Sequence, residues 1–199
     1  MKILKIHDLI NVGNTKLRSE VQNVMDQIQA SIRLMDNPPG TGQFVLYNQR
    51  QANGVKPIKD TFVSRLSELG WRHEHRLDIG HTERPGPIDA TFPIGPKFFA
   101  VEWETGNISS SHRAINKMVM GILNQQLIGG VLILPSRDMY TYLTDRVGNF
   151  RELEPYFPVW EQAVYPITEG YLSIIEIEHD DVSNNVPPIT KGTDGRALV

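Results

Sequence analysis

GPIDATFPIGPKFFAVEWETGNISSSHRAINK, residues 86–117, is the stretch on which the fold turns. It holds two strand-like runs, Ile88 to Ile94 and Lys97 to Glu104, joined through Gly95-Pro96 as a short antiparallel turn. A turn centred there places Asp89 directly opposite Glu102. Side chains two apart on a strand share a face, so Glu104 joins them while Val101 and Trp103 point the other way. Like charges set opposite each other destabilise a hairpin, so something must compensate three carboxylates on one face. Protonation of one carboxyl would do so, and so would a hard divalent cation held by oxygen ligands, the option favoured here. The plainer alternative is a solvated acidic face with a register slipped by one or two residues.

Beyond Glu104, apolar residues at Ala114, Ile115, Met118, Val119, Ile122 and Leu123 recur with helical spacing. Asn107 and Ser109 to Ser111 are N-cap types, so the hairpin runs directly into a helix N-terminus dressed with Asn, Ser, His112 and Arg113. Such a terminus attracts phosphate, and Asn and Arg are shaped to read adenine and guanine edges. An ordinary capped surface helix carries the same residue types.

Working outward, 199 residues suit one domain. A hydrophobic share of 40% and a charged share of 22% are ordinary for a globular chain, and disorder-type composition is absent. Zero cysteines exclude disulfides and thiolate chemistry and fit a reducing cytoplasm. No apolar run reaches a membrane span and no signal-peptide core opens the chain, so a cytoplasmic protein is expected. A net charge of −3 weighs weakly against a nonspecific nucleic-acid binder.

Residues 15–35 place Leu17, Val21, Val24, Met25, Ile28 and Ile32 on one face of an amphipathic helix, closed by Asp36-Asn37-Pro38-Pro39-Gly40. A short strand is expected at Phe44 to Tyr47, and a second helix after Pro57 with Ile58, Phe62, Leu66 and Leu69 inward. His73, His75 and His81 lack a cysteine or a well-spaced fourth ligand, which disfavours zinc. Val131 to Leu134 reads as a short buried strand, Ser136 to about Leu143 as a helix, and Tyr171 to Ile177 as another strand. Asn184 to Val199 reads as an extended arm. Asp145-Arg146 is either a local ion pair or a C·G reader, Asp accepting from cytosine and Arg donating to guanine. Alternating helices and strands around a mixed sheet indicate α/β.

GPID at 86–89, Asp89 with Glu102-x-Glu104, and ETGNISSSHRAINK at 104–117 resemble the BamHI family of type II restriction endonucleases. So do NGVKPIK at 53–59, YLTDRVGNFRELEPYF at 142–157 and NNVPPITKGTDG at 184–195, scattered blocks that together span roughly residues 53–196. The resemblance implies an α/β fold of the PD-(D/E)xK nuclease type, one endonuclease domain over 1–199 with 180–199 as a DNA-binding arm. It implies a homodimer acting on double-stranded DNA at GGATCC after the first G, in a host that also carries a cognate DNA methyltransferase. Glu74, Asp89, Glu102 and the Trp103 carbonyl would hold one or two Mg²⁺ ions. Glu104 stands where most such enzymes carry Lys, as general base or water-orienting group. Asn107, Ser109, Arg113, Asp145 and Arg146 would read bases, Lys59 would contact the DNA backbone, and Gly192 and Asp194 would lie in the arm. Asn124-Gln125-Gln126 replaces a charged stretch on the family's dimerising helix, and Pro158 stands where its acidic partner would be. Two other readings stay open: a metal-independent DNA-binding dimer, and a related nuclease with another target.

Overall fold

The computed structural model describes residues 1–78, 86–144 and 146–191. The chain opens with β1 (Lys2–Val12) and α1 (Ser19–Arg33), then β2 (Val45–Tyr47), α2 (Lys56–Glu68) and β3 (Arg72–His75). The hairpin β4 (Ile88–Ile94) and β5 (Lys97–Trp103) leads into α3 (Ile108–Leu123) and β6 (Leu127–Pro135). Short helices α4 (Arg137–Tyr142), α5 (Phe150–Leu153) and α6 (Phe157–Glu161) precede β7 (Gly170–Glu178) and β8 (Asp181–Ser183).

The main sheet has the order β1-β7-β6-β5-β4-β3, and β2 pairs with β8 apart from it. β5, β6 and β7 run parallel, flanked by antiparallel β1 on one side and β4 and β3 on the other. The expected α/β fold with a mixed sheet is thus present. All nine residues of β6 are buried, as expected for a central parallel strand covered on both faces. Val21, Val24, Ile28 and Ile32 of α1 and Ile58, Phe62 and Leu66 of α2 cover one face of the sheet. Ile115, Met118 and Ile122 of α3, with Phe150, Phe157 and Trp160, cover the other.

Several expectations need correction. Leu17 lies in a separate 3₁₀ turn and is 65% exposed, because Arg18 is extended and α1 starts only at Ser19. Leu69 lies past the end of α2 and is 48% exposed. β6 is longer than the Val131–Leu134 run, because Gly129 and Gly130 continue the strand. β1 has no counterpart in the sequence reading; its pairing with β7 shifts register between Ile3 and Lys5 and again between Asp8 and Ile10, which erases the alternation that marks a strand. Among the described residues no helix is long and apolar enough to cross a membrane.

Candidate active site

The hairpin adopts the register read from its turn: Ile94 pairs with Lys97 and Ala90 with Val101, which sets Asp89 opposite Glu102. Val101 and Trp103 pack into the core under α1 and α2, leaving Glu102 on the α3 side. Asp89, Glu102 and Glu104 line one cleft of about 1090 Å³, together with Ser109, Ser110, Arg113 and Lys117 from the first turns of α3. Carboxylates and helix N-terminus therefore share a single cavity.

Each carboxylate has a specific partner. Asp89 accepts from the Trp103 amide at 2.8 Å and from Lys59 Nζ at 3.0 Å. Glu102 is ion-paired with Lys117, whose Nζ also donates to the Pro87 carbonyl at 2.9 Å. Glu104 accepts from the Gly106 amide at 2.6 Å and from the Ser111 hydroxyl. Burial pushes the Glu102 carboxyl upward; the Lys117 ammonium opposes that and Asp89 reinforces it. Burial likewise raises Glu104, against the Ser111 hydroxyl and the Gly106 and Thr105 amides that favour its ionised form.

Two cations thus lie against two of the carboxylates, so the compensation that the hairpin demanded is supplied here by lysines. Lys117 escaped the sequence reading. A signal was available: Ser110, Arg113 and Lys117 follow helical spacing and so share one polar stripe of α3. Lys59, expected on the DNA backbone, is turned inward onto Asp89, although it does not itself line the cleft.

Other expected residues are dispersed. Glu74 falls between the register pairs His73–Ala90 and His75–Ile88, beside Asp89 on the neighbouring strand. Its backbone is left-handed at φ 46 and its side chain is 64% exposed, outside the cleft lining. Among the described residues no three Asp, Glu, His or Cys side chains gather as a ready metal-ligand set. His73 is exposed, His75 bonds Thr91 at 2.8 Å, and His81 lies outside the described residues. The hard-oxygen pair Asp89 and Glu102 still suits Mg²⁺, which is commonly held by one or two carboxylates plus substrate phosphate.

Asn107 is the N-cap of α3, its Oδ1 accepting from the Ser109 and Ser110 amides at 3.0 and 3.3 Å. Ser109 and Arg113 are exposed at the cleft mouth. Arg146, also exposed, has a left-handed backbone at φ 69. Two residues later, the Gly148 amide donates to the Gly106 carbonyl at 2.8 Å, and a Cβ on Gly148 would lie 2.6 Å from Ser111 Oγ. The Arg146 segment is thereby stitched to the start of α3. Asp145, Gly192 and Asp194 lie outside the described residues.

A sheet of this topology with acidic side chains at the β4–β5 hairpin is the architecture of the PD-(D/E)xK nucleases. Restriction endonuclease BglII, solved in complex with a DNA 16-mer, superimposes with a TM-score of 0.62 at 11% identity, over 90% of this chain and 79% of that one. The chain belongs to the BamHI restriction endonuclease family, whose description, "Restriction endonuclease BamHI", it matches over residues 1–196. It is 56% identical over 198 residues, the full length of both chains, to type II restriction enzyme OkrAI of Oceanobacter kriegii. It is 35% identical over 184 residues to type II restriction enzyme BamHI of Bacillus amyloliquefaciens, covering 88% of this chain and 83% of that one. It is accordingly a type II site-specific deoxyribonuclease.

Proposed function

We propose that the enzyme hydrolyses double-stranded DNA at the palindrome GGATCC, after the first G, as a cytoplasmic homodimer in a host that carries a matching methyltransferase. The observation that carries this reading is the shared cleft, in which Asp89, Glu102 and Glu104 face the first turns of α3. Asp89 and Glu102 would hold Mg²⁺, joined by the Trp103 carbonyl and by Glu74 once its exposed side chain turns inward. The ion would supply Lewis-acid stabilisation of charge at the scissile phosphate and activation of the attacking water.

The remaining chemistry belongs to the chain. Glu104, its carboxyl raised by burial, is a stronger proton acceptor than an exposed carboxylate, as suits a general base, and the Ser111 hydroxyl and Gly106 amide fix its orientation. The positive end of the α3 dipole lies at the cleft and favours the phosphate there. Ser109, Arg113 and Arg146 are exposed beside the cleft, where they meet base edges together with Asp145; Asn107 reads only if its carbonyl leaves the cap. Two chains assemble through α3 and α6, which already pack together through Trp160 Nε1 and Asn116 Oδ1 at 3.0 Å. Tyr156 and Val159 beside them are 48% and 66% exposed. Apolar packing would thus replace the ion pair removed by Asn124-Gln125-Gln126 and Pro158.

Incubation with plasmid and Mg²⁺, followed by sequencing of the ends, tests the reading. Ends at one palindrome other than GGATCC would replace the target, and ends without fixed sequence would replace the specificity. Glu102→Ala should abolish cutting yet retain specific binding, because a metal ligand is lost while the readers stay. Near-normal cutting by that variant would remove Glu102 from the site.

A further inference from the structure

Asn53 and Gly54 lie away from the cleft, where three segments meet. Asn53 is fully buried and every polar group it has is engaged. Its Nδ2 donates to the Tyr47 and Tyr142 carbonyls at 3.1 and 3.0 Å, and its Oδ1 accepts from the Tyr47 and Ile189 amides at 3.2 and 3.3 Å. Its own N–H donates to Tyr142 O at 3.0 Å, and its carbonyl accepts from Thr144 N at 2.8 Å. The Gly54 amide donates to Ile189 O at 2.9 Å. A Cβ on Gly54 would lie 2.1 Å from the Thr190 carbonyl oxygen and 2.8 Å from Lys191 Cα. The backbone of Gly54 is not left-handed, so space alone demands glycine: the chain at 190–191 rests on its bare face.

The segments joined here are the two that flank the proposed readers. Thr144 is two residues before Arg146, and residues 189–191 belong to the expected C-terminal arm. A buried amide with all its bonds made acts as a rigid joint, since moving any one segment leaves a buried polar group unsatisfied. The same joint immediately precedes α2, which carries Lys59 onto Asp89.

We propose that Asn53 and Gly54 are positioning residues for sequence discrimination, docking the C-terminal segment against the root of the Arg146 segment so that both meet the duplex as one preordered unit. The proposal rests on the base-reading role of Arg146 given above. Were the two segments separate, each would be ordered on the DNA at its own entropic cost, and specific binding would weaken accordingly.

The test compares full-length Gly54→Ala, Arg146→Ala and the double variant in metal-free competition binding, GGATCC duplex against a duplex with one base pair changed. Gly54→Ala displaces only the 190–191 backbone. It is expected to lower the preference for GGATCC by about tenfold, comparable to ordering one further backbone residue, measured below the variant's own thermal midpoint. The double variant should lose less than the product of the single losses, because the displaced joint already weakens Arg146. An unchanged preference in Gly54→Ala overturns the proposal, and so does a clean product of effects. No effect from Arg146→Ala sinks the reader assignment itself, a distinct failure. Should Gly54→Ala fail to fold, amide exchange of the wild-type protein decides. Protection of the Thr144, Gly54 and Ile189 amides rising together on adding the GGATCC duplex supports the joint, and protection of Thr144 alone overturns it.

Discussion

Lys117→Met isolates the charge compensation on which the acidic hairpin depends. The Glu102 and Lys117 side chains are 10% and 15% exposed, so the variant leaves a carboxylate in a low-dielectric site with Asp89 as its neighbour. Removing one partner of a buried pair costs about 3 to 5 kcal/mol. Glu102 can escape that cost by binding a proton. Relative to an unfolded carboxyl near 4.5, holding that proton in the folded state costs about 1.4 kcal/mol per pH unit. At pH 5.5 the loss is therefore capped at about 1.4 kcal/mol, whereas at pH 8 the cap of about 5 kcal/mol no longer protects the fold. The sign follows from linkage: a carboxyl raised in the folded state contributes stability below its unfolded value and loses it as pH rises through the folded one. Urea unfolding at both pH values measures the difference by linear extrapolation. Lys117→Met should lose about 3 to 5 kcal/mol at pH 8 and no more than about 1.4 kcal/mol at pH 5.5. Adding Glu102→Gln should recover most of the pH 8 loss. Equal losses at the two pH values, or a double variant as unstable as the single, would refute the reasoning.

Three further outcomes follow from the same geometry. Glu104→Gln should cut cleavage by about 10²- to 10⁴-fold. It should also erase the acid limb of the pH–rate profile, which in the wild type rises through the elevated Glu104 value; a limb that persists reassigns the base. Arg146→Ala should weaken cognate binding by about 1 to 3 kcal/mol per half-site while nonspecific binding falls far less, and equal weakening on every duplex would make Arg146 a phosphate contact. Val159→Glu, at a 66% exposed position beside α3, should yield a folded monomer in sedimentation; an unchanged dimer would place the interface elsewhere.

The parts of the site legible in the sequence were those set by local rules. A two-residue turn fixes a hairpin register, so Asp89 and Glu102 could be placed opposite each other from residue types alone. Asn107 before an apolar 3.6-residue period announced its helix and its cap. What escaped depends on tertiary contact. The pairing of Lys59 with Asp89 and of Lys117 with Glu102 exists only once the sheet brings α2 and α3 against the hairpin. β1 hid because its two register shifts scramble the period-2 pattern, and its pairing with β7 joins opposite ends of the chain. Asn53 carries no local signature, since its partners at Tyr142, Thr144 and Ile189 are remote in sequence.

The net charge of −3 is reconciled with a DNA substrate by where the charges lie. A phosphate approaching the cleft responds to the local field rather than to the sum over the chain. Asp89 and Glu102 are already matched by Lys59 and Lys117, and Glu104 by two donors at the start of α3. The site therefore carries far less negative charge than three unpaired carboxylates would. Arg113 at its mouth then sets the sign that the duplex meets. On the proposed reading, Asp89 and Glu102 would exchange their ammonium partners for a divalent ion, so DNA recognition would not require that ion to be bound first.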